Sequence, residues 1–127
     1  MHASPARILV VEGDPSAARF AEYVLGTWQG FEVVCVSDPG VALTLIKGEH
    51  WDLVIADVDL PRMDGLQLLA AVREVAPALP FALVTVLPTI HRVTAALRLH
   101  ADDFIAKPVR PVQLIEAATR LTERARR

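Results

Sequence analysis

The sequence predicts an α/β protein built on a doubly wound, parallel sheet of five strands. Five short apolar segments alternate with five longer ones in which apolar residues recur every three or four positions. The short segments are apolar throughout, which is typical of strands covered on both faces. Strands that alternate with helices in this way favour right-handed βαβ units, whose strand carboxyl ends share one edge of the sheet.

The predicted strands are the short segments, which are rich in valine, isoleucine and leucine and therefore suit a buried pleated surface. They cover residues 7–11, 32–36, 51–57, 81–86 and 104–106.

The predicted helices begin at residues suited to a helix N-terminus. They start at Pro15, at Pro39, after Gly65, at Thr89 and at Pro111. Asp14 and Asp38 each stand before a proline, so that a carboxylate occupies the N-cap and proline the first helical position. Gly26 and Gly30 are expected to bracket the end of the first helix, and Gly48 to close the second.

Composition indicates one globular domain spanning residues 1–127. The chain is 53% hydrophobic with a net charge of −2, which excludes a disordered protein. A pI of about 6.0 gives no electrostatic case for nucleic acid binding, and the five βα units leave no residues for a separate DNA-binding motif. No apolar run approaches the ~18–20 residues of a membrane-spanning helix. A lone Cys35 and the lack of a signal-peptide pattern favour a reducing, cytoplasmic setting.

The carboxyl ends of these strands collect acids, one hydroxyl and one ammonium. Glu12 follows the first strand, Asp57 ends the third with Asp59 two residues on, Thr85 lies in the fourth, and Lys107 follows the fifth. A carboxylate beside Mg²⁺, an ammonium and a hydroxyl can accept a phosphoryl group, because the cations offset the charge on its oxygens. The pattern therefore predicts phosphoryl chemistry at Asp57.

Three segments carry a resemblance to a known family: RILVVE at 7–12, DLVIADVDLPRMDG at 52–65 and ADDFIAKP at 101–108. Together they resemble the receiver domain of two-component response regulators of the chemotaxis-regulator type, and the middle segment is the most specific. The resemblance covers nearly the whole chain. It implies a flavodoxin-like (βα)5 fold with the strand order 2-1-3-4-5.

The resemblance also implies roles for the residues of this edge. Asp57 would take a phosphoryl group from the phosphohistidine of a sensor histidine kinase or phosphotransfer protein, and Lys107 would contact that group. Glu12, Asp57 and the backbone carbonyl of Asp59 would hold Mg²⁺. The domain would then be a self-phosphorylating, slowly self-dephosphorylating switch rather than a turnover enzyme.

The family's switch residues match Thr85 as the hydroxyl and Phe104 as the aromatic. On phosphorylation Thr85 would move toward the new oxygens and Phe104 would turn into the vacated space, which biases a protein-interaction face. The implied partners are an effector domain beyond residue 127, another protein, or a second copy that pairs through the last two helices. Ile90, Val93 and Leu97 form an apolar stripe, which is either such a face or ordinary packing.

Three residues depart from the family pattern. Gly13 replaces the second acid of the metal-binding pair, so Mg²⁺ is expected to bind weakly, and Asp14 is needed as an N-cap. Val86 replaces a small residue, which could narrow access to Asp57. His100 replaces a glycine, and its backbone would be strained if its φ is positive.

Two alternatives stay open beside the phosphoacceptor switch. The first is a pseudo-receiver, a protein-binding module that works without phosphorylation because Gly13 weakens the metal site. The second is a phosphatase of the haloacid dehalogenase type, in which residues 57–59 would supply the nucleophile and Asp102 and Asp103 the metal acids. The chain has no room for the substrate-enclosing elements of such enzymes.

The remaining polar and aromatic candidates are expected to be structural or exposed. Cys35 is expected to be a small buried hydrophobe, and Trp28 and Trp51 to cover the rim of the core. Surface or helix-end positions are expected for His2, His50, His91, His100, Arg124, Arg126 and Arg127.

Overall fold

Five parallel strands form one sheet in the computed structural model, which describes residues 4–127. They are β1 (Arg7–Val11), β2 (Glu32–Val36), β3 (Leu53–Asp57), β4 (Phe81–Thr85) and β5 (Asp103–Ala106). Their order across the sheet is β2-β1-β3-β4-β5, with all neighbours parallel. The predicted doubly wound fold and its strand order are confirmed, with strand ends shifted by at most two residues.

The helices lie between the strands and after the last of them. They are α1 (Pro15–Ala21, continued by a π-helical segment, Glu22–Trp28), α2 (Pro39–Gly48), α3 (Gly65–Val75), α4 (Ile90–Arg98) and α5 (Pro111–Ala125). Within residues 4–127 none of the helices combines the length and apolarity needed to cross a bilayer.

Side chains cap the first four helices, three of them by aspartate and α4 by the hydroxyl of Thr89. The carboxylate of Asp14 accepts from the backbone N–H of Ser16 at 3.1 Å, and that of Asp38 from Gly40 at 2.7 Å. Asp64 accepts from Gln67 at 2.8 Å, and the Gln67 side chain accepts from the Asp64 N–H in return. These bonds satisfy backbone donors that have no partner inside the helix.

The first helix passes through Gly26, which corrects the prediction that this glycine marks its end. A Cβ at Gly26 would lie 3.8 Å from both the Phe31 carbonyl oxygen and a Val33 methyl, so the helix runs close beside β2. Packing here outweighs the low helix propensity of glycine. Gly30, with φ of +76°, reverses the chain after Trp28.

The strands are apolar throughout because both faces of the sheet are covered. Ile8 and Val10 of β1 pack into a cluster with α1 and α5, whereas Leu9 and Val11 pack with α2, α3 and α4. All four side chains are buried. Each contributes roughly 1.5–3 kcal/mol of hydrophobic stabilisation, and the two layers hold the strand ends in fixed register.

A buried carboxylate ties together the amino edge of the sheet. Asp52 accepts from the backbone N–H of Arg7 at 2.8 Å and from the guanidinium of Arg126 at 3.3 Å. Arg126 also donates to the carbonyls of Ser4 at 2.6 Å and Pro5 at 3.0 Å. Burial alone would raise the pKa of Asp52, but these hydrogen bonds outweigh it and lower the pKa. Arg126 lies at the exposed end of α5, as predicted, and these bonds give it a structural role that the sequence did not indicate.

The aromatic residues and the cysteine differ in burial. Trp51 is buried and its indole N–H donates to the Leu45 carbonyl at 3.0 Å. Trp28 is 55% exposed and makes an edge contact with Tyr23, so the prediction that it covers the core is wrong. Cys35 is half-buried, and burial raises the pKa of its thiol to about 11. Little thiolate forms at neutral pH, in keeping with a structural role.

The histidines His50, His91 and His100 are exposed, as expected, and His2 lies outside the described residues. His100 has φ of +60°, the left-handed conformation that favours glycine. Its carbonyl accepts from the guanidinium of Arg73 at 2.8 Å, which holds the strained turn before β5.

Candidate functional site

The carboxyl edge of the sheet brings together Glu12, Asp57 and Lys107. The ammonium of Lys107 lies 2.6 Å from Asp57 Oδ2 and 2.9 Å from Glu12 Oε2. Asp57 ends β3, Glu12 follows the adjacent β1, and Lys107 follows β5, so the lysine reaches past β4 to join them. Only 8% of the Asp57 side chain and 9% of that of Glu12 is exposed. One ammonium is therefore shared by two largely buried carboxylates.

The loop after β3 fixes the position of Asp57. Its Oδ1 accepts from the backbone N–H of Asp59 at 2.9 Å, and the backbone N–H of Gly65 donates to the Val58 carbonyl at 2.9 Å. A Cβ on Gly65 would overlap the carbonyl oxygen of Asp57 and lie 2.9 Å from Cα of Val58. Only glycine allows the loop to fold back this closely. In the sequence, Asp64 followed by Gly65 indicated a capped turn or helix start, but it did not indicate this close contact with Asp57.

Burial and pairing act in opposite directions on the charged groups of this cluster. For Lys107, burial alone would lower the pKa, but hydrogen bonds to Asp57 and Glu12 outweigh it and raise the pKa. For Glu12, burial is the largest effect and raises the pKa despite bonds from Asp14 and Lys107. With all three groups ionised the cluster carries one net negative charge, which attracts a cation.

A second cluster at the same edge joins Thr85 to Asp59 and Arg92. The buried hydroxyl of Thr85 donates to Asp59 Oδ2 at 3.2 Å and accepts from the Leu87 N–H at 3.1 Å and from Arg92 Nη1 at 2.9 Å. Arg92 Nη2 donates to Asp59 Oδ1 at 2.8 Å. The Arg92 ion pair lowers the pKa of Asp59. Thr85 thus bonds to Asp59 and Arg92, and not to Asp57.

Arg92 was missed in the sequence because a charged residue in a helix ordinarily faces solvent. Its backbone N–H donates to the N-cap hydroxyl of Thr89 at 3.2 Å, which places it in the first turn of α4. The first turn of a helix that follows a strand lies at the carboxyl edge of the sheet. The position of Arg92 three residues after the N-cap Thr89 was therefore the sequence signal that could have placed it at this edge.

Phe104 and the start of α4 lie on one side of this edge. Phe104 is partly buried and packs with the cluster that α2, α3 and α4 form on the sheet. Ile90 and Leu97 are 87% and 68% exposed, and Val86 and Leu87 are more than half exposed. Two residues of the apolar stripe of α4, Ile90 and Leu97, are thus largely exposed, whereas Val93 is partly buried, and the interaction face stays a prediction. The effect of Val86 on access to Asp57 stays a prediction.

The residues present fit Mg²⁺ with fewer charged ligands than the family pattern. Glu12 and Asp57 offer carboxylates and Asp59 a backbone carbonyl, and such oxygen ligands suit this ion. Gly13 is exposed, and no atom lies within 4 Å of a Cβ built there. Asp14 caps α1 and does not take its place. No group of three His, Cys, Asp or Glu side chains in the described part of the chain is arranged to hold a metal, and weak binding of Mg²⁺ stays a prediction.

A cavity of about 170 Å³ opens beside the Glu12–Asp57–Lys107 cluster. Its walls are mainly apolar side chains of α1, α5 and the sheet, such as Phe20 and Leu114, and Asp57 and Lys107 also line it. Asp57 thus lines this cavity, although only 8% of its side chain is exposed.

The acids Asp102 and Asp103 lie at the amino end of β5, at the edge opposite Asp57. Asp102 pairs with Arg73 at 3.2 Å and with Arg124, and Asp103 pairs with Arg120 at 2.9 Å. They do not join residues 57–59, so the geometry disfavours the phosphatase alternative. Arg124 is exposed in the last turn of α5, as predicted, and its guanidinium also pairs with Asp102.

The fold and this edge define a class of signalling domain rather than a turnover enzyme, and comparison with known proteins gives its family. The chain belongs to the response regulator receiver domain family, whose model matches residues 8–119. It is therefore a receiver domain of the two-component response regulators.

Relatives of known sequence are longer than this chain. It is 36% identical over 117 residues to the response regulator protein FleR of Pseudomonas aeruginosa, covering 91% of this chain and 24% of that protein. It is 34% identical over 109 residues to the DNA-binding response regulator MtrA of Mycolicibacterium smegmatis, covering 86% and 47%. The chain thus spans about a quarter to a half of the length of these relatives.

Solved structures share the fold over nearly the full chain. A CheY-like response regulator receiver domain protein from Methanospirillum hungatei superposes with a TM-score of 0.91 at 28% identity, covering 97% of this chain and 98% of that one. The signal receiver domain of a signal transduction histidine kinase from Syntrophus aciditrophicus gives 0.87 at 31% identity, covering 96% and 93%.

Proposed function

We propose that this receiver domain accepts a phosphoryl group on Asp57 from the phosphohistidine of a sensor histidine kinase or phosphotransfer protein. The observation that carries the proposal is the ammonium of Lys107 at 2.6 Å from Asp57 Oδ2, in a cluster beside a cavity that both residues line. The family supports the assignment, because receiver domains act as phosphorylation switches.

The transfer exchanges one bond to phosphorus for another. A carboxylate oxygen of Asp57 attacks the phosphorus, the P–O bond forms as the P–N bond breaks, and the electron pair of that bond returns to the imidazole of the donor. Lys107 offsets the negative charge on the phosphoryl oxygens. Glu12, Asp57 and the carbonyl of Asp59 would hold Mg²⁺, which supplies further charge compensation when bound.

Phosphorylation then acts on the interaction face through Thr85 and Phe104. The hydroxyl of Thr85 would leave Asp59 for a phosphoryl oxygen, and Phe104 would turn into the space released. The exposed apolar start of α4 would receive a partner protein, an effector domain or a second copy, without contacting nucleic acid itself. We place the domain in the cytoplasm, where the lone Cys35 would stay reduced.

Intact-mass measurement after treatment with acetyl phosphate and Mg²⁺ tests the proposal. The chain should gain the mass of one phosphoryl group, and Asp57→Asn should gain none. Asp102→Asn, at the opposite edge of the sheet, is the matched control and should still be labelled. Labelling of Asp57→Asn, or none in the unaltered chain at saturating Mg²⁺, would refute phosphorylation at Asp57.

Gly13 favours a second function, a pseudo-receiver that binds its partner without phosphorylation. The open space at Gly13 and the small set of charged ligands support it. In that case no phosphoryl group is taken up, and a partner binds the Asp57→Asn variant as tightly as the unaltered chain.

A further inference from the structure

We propose that Arg92 is a positioning residue that holds the hydroxyl of Thr85 on Asp59 while Asp57 is unphosphorylated, and that phosphorylation must break this hold. The inference rests on the proposed function. It adds a residue of α4 to the machinery of the switch and gives the phosphorylation site a direct connection to the exposed apolar start of that helix.

The bonds of the Thr85–Asp59–Arg92 cluster use the full capacity of the threonine hydroxyl. A hydroxyl has one donor and two acceptor lone pairs. Thr85 donates to Asp59, and it accepts from Arg92 Nη1 at 2.9 Å and from the Leu87 N–H. Its single proton cannot be given to a phosphoryl oxygen while it is given to Asp59.

The guanidinium of Arg92 suits this position because it is planar and carries several donors. One nitrogen bonds to Thr85 and the other to Asp59 Oδ1 at 2.8 Å, so that a single group fixes both partners. Thr85 is fully buried, whereas the Asp59 and Arg92 side chains are partly exposed. The exposed side of the ion pair leaves room for Arg92 to move away when its hold is broken.

The position of Arg92 in the first turn of α4 connects this cluster to the exposed apolar residues there. Its backbone N–H bonds to the Thr89 hydroxyl at 3.2 Å, and Nη1 approaches the Leu87 carbonyl at 3.4 Å. Movement of the guanidinium therefore changes contacts of the segment that presents Leu87 and Ile90 to solvent.

The test removes the Arg92–Asp59 pair without changing the net charge of the site. Arg92→Met with Asp59→Asn is compared with the unaltered chain for its rate of labelling by acetyl phosphate. A hydrogen bond to a charged group corresponds to roughly tenfold or more in an equilibrium, so we expect labelling to be roughly tenfold faster. Arg120→Met with Asp103→Asn removes an ion pair at the opposite edge and should leave the rate unchanged.

A third substitution separates positioning from a structural role. With Thr85→Val in the background, removal of the pair should no longer change the labelling rate, because Arg92 acts through the Thr85 hydroxyl. A loss of structure would change the rate in both backgrounds. An unchanged or slower rate in the Arg92→Met, Asp59→Asn variant would overturn the inference, as would an equal acceleration with Thr85→Val present.

NMR of the Arg92 side chain tests the hold independently of phosphate uptake. In the unphosphorylated protein the two Nη groups should give separate, slowly exchanging signals, which merge in Asp59→Asn. Merged signals in the unaltered chain would overturn the inference even if Asp57 is labelled. If no variant is labelled, the proposed function fails, and the state of these signals still decides whether Arg92 holds Thr85.

Discussion

Gly13 leaves open space beside the two carboxylates of the site, and replacing it with aspartate measures what that gap does to Mg²⁺ binding. No atom lies within 4 Å of a Cβ at this position, and the residue is exposed. Its φ is outside the left-handed region. Gly13→Asp should therefore fold as the unaltered chain does, with a third carboxylate at the site.

The magnitude follows from the charge on the ion. One carboxylate about 4 Å from a divalent cation gains roughly 8 kcal/mol of gross attraction at an effective dielectric constant of about 20. The cost of removing water from the carboxylate and from the ion offsets most of this attraction. A net gain of about 2 kcal/mol would remain, which lowers the Kd for Mg²⁺ roughly thirtyfold.

Calorimetric titration with Mg²⁺ at constant ionic strength measures this difference, and amide shifts of residues 57–59 locate the ion. Gly48→Asp adds the same charge at the exposed end of α2, where a Cβ also meets nothing within 4 Å, and serves as the control. Phosphate uptake should shift to lower Mg²⁺ in Gly13→Asp only. An equal Kd in Gly13→Asp and the unaltered chain, or equal tightening in Gly48→Asp, would refute the reasoning.

Three further substitutions test stability. Gly65→Ala should lower the free energy of unfolding, measured in urea, by about 3 kcal/mol, because the new Cβ would overlap backbone atoms. The control, Gly48→Ala, should leave the free energy of unfolding unchanged or raise it by up to about 1 kcal/mol. Equal effects of the two substitutions would contradict the contact between Gly65 and Asp57. His100→Gly should raise it by about 1 kcal/mol by relieving a φ of +60°, whereas the same change at exposed His91 within α4 should lower it. The pKa of Asp52 is lowered in the folded state, so its contribution is present above the ordinary carboxyl pKa and is lost as the pH falls. The range from pH 5 to pH 3 covers roughly one unit on either side of that ordinary pKa. Over this range the melting temperature of Asp52→Asn should therefore fall less than that of the unaltered chain. Parallel curves of melting temperature against pH would argue against this role of Asp52.

The position of Asp57, Lys107 and Glu12 could be predicted because the rule involved is simple. Each residue ends or follows a buried strand, and parallel strands present their carboxyl ends at one edge. The same rule places Thr85 there, but it does not select its hydrogen-bond partners. Those depend on Arg92, which comes from a helix and whose side-chain direction no strand pattern encodes.

Other differences arise from contacts between distant parts of the chain. Gly26 is a helix-ending residue by local propensity, but packing against β2 keeps the helix intact. Arg126 follows a helix and suits its dipole, yet it bonds to Asp52 and to carbonyls more than 120 residues away in the sequence. Local patterns predict elements and their order, but not which charged groups the fold buries together.

The bonds from Arg126 to the carbonyls of Ser4 and Pro5 leave the start of β1 and the end of α5 side by side. A domain whose first and last elements lie close together can be inserted into a surface loop of another protein with little distortion of either protein. This domain is therefore suited to engineering as a portable module, in which a change at Asp57 on the far edge would leave the attachment point undisturbed.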